Sequence, residues 1–236
     1  MRAILFDLGD TLFRLDPMDD AGIRAAFAQL LVERGLAADS ASLELAAGAL
    51  GAVEEALAAA RRTGSVMEPS VANMVAPFLS RFGGHAETLA SALDRLCGEA
   101  DTARWVQTPE REQHLAKFAG AGLELAFVSN TLTHPDLMRA RLTEFGLLPL
   151  AKVHVFSVAV GERKPSPAIY RAALDGLGIS PEDAIFVGDR VREDVVGPQS
   201  LGMRGVLTHE FRQEDLGEAQ PHGVIRSIPE LWDLLD

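Results

Sequence analysis

The chain has 236 residues, 47% of them apolar and 24% charged, the usage of a packed globular protein, which excludes long disorder. That length suits one large domain or one domain carrying an insertion. Acids outnumber bases 34 to 22, a formal net charge of −12, which argues against a dedicated nucleic-acid surface or an anionic-membrane anchor. It leaves phosphate chemistry open, because a bound divalent cation inverts the local field.

The first element is a buried strand, Ala3-Ile4-Leu5-Phe6, which turns at Asp7-Leu8-Gly9-Asp10-Thr11. The apolar run is too short for a signal peptide. From about Asp16 to Ala103 no strand pattern occurs. Ile23, Ala26, Phe27, Leu30 and Leu31 fall at helical spacing, as do Val71, Met74, Val75, Phe78, Leu79 and Phe82, and again Leu89, Ala92, Leu93, Leu96 and Cys97. An alanine-rich helix fills about Ser40 to Arg62, so the region reads as four or five helices inserted after the first strand. Beyond it, short apolar runs recur at Leu123–Val128, Val153–Ser157, Ala184–Val187 and Gly205–Leu207, with a weaker one at Val224-Ile225. Such runs suit strands covered on both faces, and their alternation with helical patterns predicts an α/β fold with a parallel sheet.

Cys97 is the sole cysteine and cannot form an internal disulfide, which fits a reducing compartment. No apolar run reaches the length of a membrane span. A cytoplasmic protein is expected, with no nucleic-acid or membrane partner. Oligomeric state is not legible.

In an open parallel sheet, ligands gather beyond the carboxyl ends of the strands. Asp7, Gly9, Asp10 and Thr11 follow the first strand, and Ser129, Asn130 and Thr131 the second. Lys164-Pro165 comes after the third, and Gly188, Asp189, Arg190 and Asp194 after the fourth. Any one acid after a strand is commonly a turn residue or a helix cap. Four consecutive strands each ending in polar groups point to a site.

At these residues the sequence resembles the haloacid dehalogenase superfamily of aspartyl-nucleophile hydrolases. The motifs are Ile4-Leu5-Phe6-Asp7-Leu8-Gly9-Asp10-Thr11-Leu12, Leu125-Ala126-Phe127-Val128-Ser129-Asn130, Lys164-Pro165-Ser166-Pro167-Ala168-Ile169-Tyr170, and Ile185-Phe186-Val187-Gly188-Asp189-Arg190 through Asp194 and Gly197 to Leu201-Gly202-Met203. The resemblance spans essentially the whole chain. It implies a three-layer Rossmann-like core over residues 1–15 and 104–236, with an α-helical cap over 16–103.

The resemblance also implies a chemistry, hydrolysis of a small-molecule phosphate ester with Mg²⁺. Asp7 is the expected nucleophile, forming an aspartyl-phosphate. Asp7, Asp189, Asp194 and the backbone carbonyl of Gly9 are the expected magnesium ligands. Ser129 and Asn130 are expected to bind the phosphoryl group, and Lys164 to bind it and to neutralise charge. Without cation and lysine the three carboxylates would repel one another. In the family the cap supplies substrate specificity.

One position departs from the pattern. Family phosphatases usually carry a general acid two residues after the nucleophile, where this chain has Gly9, and the acid comes one residue later, at Asp10. Asp10 is either the replacement acid or a turn residue. Two alternatives follow from the same departure: a metal-independent 2-haloacid dehalogenase, whose family members also lack that acid, or a catalytically weakened phosphate-binding protein. Arg14, Arg24, Trp105 and Tyr170 are read as surface charges or packing, and Arg190 as either a helix-start surface charge or a contact for a second anionic group.

Overall fold

A computed structural model describes residues 1–235. In chain order the elements are β1 Ala3–Phe6, β2 Arg14–Leu15, α1 Asp20–Glu33, α2 Ser40–Thr63, α3 Val71–Leu79, α4 Ala86–Ala103, β3 Trp105–Val106, α5 Arg111–Gly120, β4 Glu124–Ser129 and α6 Pro135–Glu144. They continue with β5 Val153–Phe156, α7 Ser157–Val160, α8 Pro167–Leu177, β6 Ala184–Gly188, α9 Gly197–Gln199, β7 Arg204–Thr208 and β8 Gly223–Ile225.

The chain divides into two compact units. One comprises Met1–Asp16, Trp105–Thr131 and Met138 onward; the other comprises Pro17–Arg104 and Leu132–Leu137. The short Leu132–Leu137 segment, expected in the core, groups with the helices.

The first unit is built on a six-stranded sheet in the order β5-β4-β1-β6-β7-β8, with every pair parallel. From β1 the chain builds outward through β4 to β5, then returns to the other side of β1 with β6. The order therefore reverses between β1 and β6, where ligands bind in such sheets. Strand side chains alternate between two cores. Ile4, Phe6, Leu125, Phe127, Ile185 and Val187 pack with Leu115 and Phe118 of α5 and Met138 and Leu142 of α6. Ala3, Leu5, Ala126, Val128, Ala184 and Phe186 pack with Ile169, Ala173 and Leu174 of α8. Those two apolar faces give three layers and explain the unbroken apolar runs in the sequence.

The two-residue strands β2 and β3 pair antiparallel, Leu15 opposite Trp105, where the sequence shows no strand pattern. Trp105 is buried and stacks on Phe13, centroids 4.2 Å apart; this satisfies the packing reading.

The second unit holds α1 to α4 around a core of Ile23, Phe27, Leu31, Val75, Leu79, Leu89 and Leu93. Helix α2 contributes Ala46 and Ala49, and a Cβ at its Gly48 would lie 2.8 Å from the Phe78 ring. Small residues thus let α3 approach α2 closely. The apolar pattern that runs to Phe82 is one α-helix only to Leu79, after which the turn becomes 3₁₀ and Gly83 takes φ 54°, a left-handed conformation that glycine adopts without steric cost.

Candidate active site

The carboxyl ends of β1, β4 and β6 lie side by side, so Asp7, Ser129 and Asp189 emerge from neighbouring strands. The Asp7 N–H donates to the Val187 carbonyl at 2.9 Å, which extends the ladder one residue past β1 and fixes its backbone. Its Oδ1 accepts from Lys164 Nζ at 2.6 Å and its Oδ2 from the buried Thr11 hydroxyl at 3.3 Å. Lys164 Nζ also donates to Asp194 Oδ1 at 2.8 Å. This lysine is 3% exposed, so its charge is committed to the two carboxylates.

Asp194 is fully buried in a π-helical segment, Val191–Val196, and its Oδ2 accepts from the Arg190 N–H at 2.9 Å. Two glycines make room here. A Cβ at Gly188 would lie 2.2 Å from the Asp194 carboxylate carbon, and one at Gly197 would lie 2.2 Å from Tyr170 Oη. Tyr170, read from sequence as packing, also donates a short hydrogen bond to the Glu193 carbonyl and so holds the segment in place.

One carboxylate oxygen from each of Asp7, Asp189 and Asp194 lies within 4.8 Å of the others, and all three residues are buried. Their electrostatics call for a cation. Burial, with Asp7 and Asp194 beside it, pushes the Asp189 carboxyl up to about 8, against the pull of Arg190 and Arg212. Burial likewise raises Asp7, although Lys164 draws it down. Burial would discharge Lys164, but Asp194 and Asp7 hold it protonated, above the usual lysine range. Lys164 hydrogen-bonds only two of the three buried carboxylates, and an all-oxygen donor set suits a hard divalent cation. The residues present therefore fit magnesium.

The remaining expected residues divide. Ser129 is buried at the end of β4. Asn130 is engaged: its Nδ2 donates to the Lys164 carbonyl at 3.1 Å, and its Oδ1 accepts from the Lys164 N–H at 2.7 Å. Asp10 has φ 56°. Its Oδ1 accepts from the Leu15 N–H at 3.0 Å, and Arg212 Nη2 lies 3.7 Å from its Oδ2. This is the geometry of a turn residue. At Gly9, the space a side chain would take is filled by Leu15, whose Cδ1 lies 2.6 Å from an added Cβ.

Sequence reasoning missed two groups. Ser157 accepts from the Thr131 N–H at 2.8 Å and donates to the Thr131 carbonyl at 3.1 Å, which pins the loop after Ser129. Arg212 Nε lies 2.7 Å from Asp189 Oδ2. A serine closing an apolar run and an arginine in an aperiodic loop after β7 carry no local signal.

The chain matches the family described as haloacid dehalogenase-like hydrolase over residues 1–202. It is 31% identical to the phosphoserine phosphatase of Thermus thermophilus, over 98% of each chain. It is 26% identical to the glyceraldehyde 3-phosphate phosphatase of Methanopyrus kandleri, over 92% of this chain and 87% of that one. Among solved structures, the 2-haloacid dehalogenase of Pseudomonas syringae superposes with a TM-score of 0.70 at 20% identity, over 100% of this chain and 98% of that one, a likeness of fold.

Proposed function

The chain belongs to the haloacid dehalogenase-like hydrolases, and from that premise we propose that it is a magnesium-dependent phosphate-monoester hydrolase, acting on a small phosphorylated metabolite through an aspartyl-phosphate at Asp7. The observation that carries this reading is the Asp7 carboxylate itself: it sits at the end of β1, 2.6 Å from Lys164 Nζ and within 4.8 Å of Asp189 and Asp194 oxygens. The phosphatase names of the two relatives support the choice of ester.

In this reading an Asp7 oxygen bonds to phosphorus while the bond from phosphorus to the leaving oxygen breaks. The leaving oxygen keeps the electron pair and takes up a proton from solvent water, since no side chain at position 9 supplies one. Water then attacks phosphorus, inorganic phosphate departs, and the Asp7 carboxylate is restored. Thr11 and Lys164 orient that carboxylate, and Lys164 offsets charge on the transferring group. The Ser129 hydroxyl donates to a phosphoryl oxygen. Asn130 acts as a positioning residue, since its carboxamide fixes the Lys164 backbone. Asp7, Asp189, Asp194 and the Gly9 carbonyl would hold magnesium, which supplies positive charge for the phosphoryl oxygens. The helical unit is read as the family's cap, and the lone Cys97 suits a cytoplasmic setting.

The test is phosphate release from an aryl phosphate by purified protein with and without magnesium. Wild type is expected to turn over only with the metal. Asp7→Asn, nearly isosteric, is expected to keep its melting temperature and lose turnover. Retained turnover in pure Asp7→Asn protein would overturn the reading.

A further inference from the structure

Lys164 serves two of the three clustered carboxylates, Asp7 and Asp194, and leaves the third. The cation nearest to Asp189 is Arg212, with Nε 2.7 Å from Oδ2, and the same guanidinium reaches Asp10 at 3.7 Å. The two contacts on Asp189's side differ in kind from those of Lys164. Lys164 Nζ makes hydrogen bonds to both its acids and is 2% exposed. The Arg212 Nε is buried, yet its N–H is not aimed at the Asp189 oxygen and has no hydrogen-bond partner. The side chain is 38% exposed and comes from the loop between β7 and β8. Arg212 is thus held by charge and proximity, on a long flexible stem with a route to water.

We propose that Arg212 is a tethered counter-ion competing with the divalent cation for Asp189: the guanidinium pairs with this carboxylate whenever it is ionised and metal-free, and metal entry displaces it. This rests on the magnesium reading above. A carboxylate whose charge is already offset by a guanidinium attracts a second cation less strongly, so each cation weakens the other's hold on Asp189. By linkage, removing Arg212 strengthens metal binding and, when no metal is present, leaves the Asp189 carboxylate without its salt bridge, with only the pull of Arg190 remaining. Most structural roles for an arginine predict the opposite, that its loss loosens the site.

The experiment is a magnesium titration by calorimetry on wild type, Arg212→Gln, Arg212→Lys and Asp189→Asn, with melting temperatures measured in EDTA and in saturating magnesium. Arg212→Gln is expected to bind magnesium about twofold to fivefold more tightly, the size of a partly exposed ion pair. It should melt lower than wild type in EDTA and gain more from magnesium. Arg212→Lys keeps the charge and should stay near wild type. Unchanged or weaker binding by Arg212→Gln, while wild type binds and Asp189→Asn does not, overturns the competition and leaves the magnesium reading intact. A wild type that binds no magnesium overturns both.

Discussion

A carboxylate at position 9 would have to share its space with Leu15, whose Cδ1 fills the volume where a Cβ would go. Asp10 cannot easily stand in, because its Oδ1 accepts the Leu15 N–H and Arg212 lies beside its Oδ2. Without a proton donor, an alkoxide leaving group departs slowly, whereas an aryl oxide needs little help. Turnover is therefore expected to fall steeply as leaving-group pKa rises. Gly9→Asp alone has to push the half-buried Leu15 side chain aside, so it should help less than the paired change. Gly9→Asp with Leu15→Ala should raise turnover of alkyl phosphates by up to about 10²–10⁴-fold, with little change for aryl phosphates. Equal gains on both classes would contradict this account. Asp10→Ala should cost about 1 kcal/mol of stability through the lost hydrogen bond to the Leu15 N–H and leave the ratio of alkyl to aryl rates unchanged; a loss confined to alkyl phosphates would make Asp10 the acid.

The Asp189 carboxyl gives a pH dependence with a definite sign. Burial and its two acidic neighbours raise it to about 8 in the metal-free fold, above the value of about 3.9 in an unfolded chain. Its contribution to stability is fully present below the unfolded value and is lost as pH rises toward about 8. A metal must displace the proton, so it binds better as pH rises. The rise in melting temperature on adding magnesium should be larger at about pH 8 than at about pH 6. An equal rise at both would contradict the assignment. Cys97, whose thiol burial and nearby acids push up to about 12, should stay unreactive throughout.

At the scale of elements, the site depends on how closely the Val191–Val196 segment can approach the sheet. Gly205 on β7 has no room for a side chain: a Cβ would meet the Val195 Cα at 2.9 Å and its carbonyl oxygen at 3.0 Å. Because backbone stands in the way, Gly205→Ala is expected to cost about 1–3 kcal/mol in urea unfolding. Gly188→Ala collides with the Asp194 carboxylate instead, so it should weaken magnesium binding more than it lowers stability. Loss of both in proportion would show that the glycine serves packing alone.

The main strands were legible because both faces of the sheet are covered, which writes each strand as an apolar run. Helices α1 and α4 were legible through their spacing. The pair β2 and β3 was not, because two residues are too few to display a period and their pairing joins positions about ninety residues apart in the sequence. The π-helical turn was also hidden: nothing in Val-Arg-Glu-Asp-Val-Val distinguishes it from an α-helix, and its shape comes from the Asp194 and Tyr170 hydrogen bonds.

At the scale of the whole molecule, the candidate site draws Asp7, Ser129, Lys164 and Asp194 from four separate segments. All four residues were legible because each stands at a fixed offset after a strand in a motif shared with a family. What was not legible is how these residues are held. Asn130 grips the Lys164 backbone, Ser157 pins Thr131, and Arg212 lies against Asp189. Those are contacts between distant segments, decided by tertiary packing and not by local pattern. The net charge of −12 works against anionic substrates at long range, so on the proposed reading a phosphoryl group is drawn by local cations, Lys164 and the metal that the carboxylates fit.

The account stands most directly on phosphoryl transfer to Asp7. Wild-type protein with magnesium and an aryl phosphate, quenched in acid during steady turnover and digested, should yield the peptide carrying Asp7 with the mass of one added phosphoryl group. Asp7→Asn protein should yield none. Phosphate released at full rate with Asp7 never labelled would contradict the account, as would halide release from a 2-haloacid without any metal.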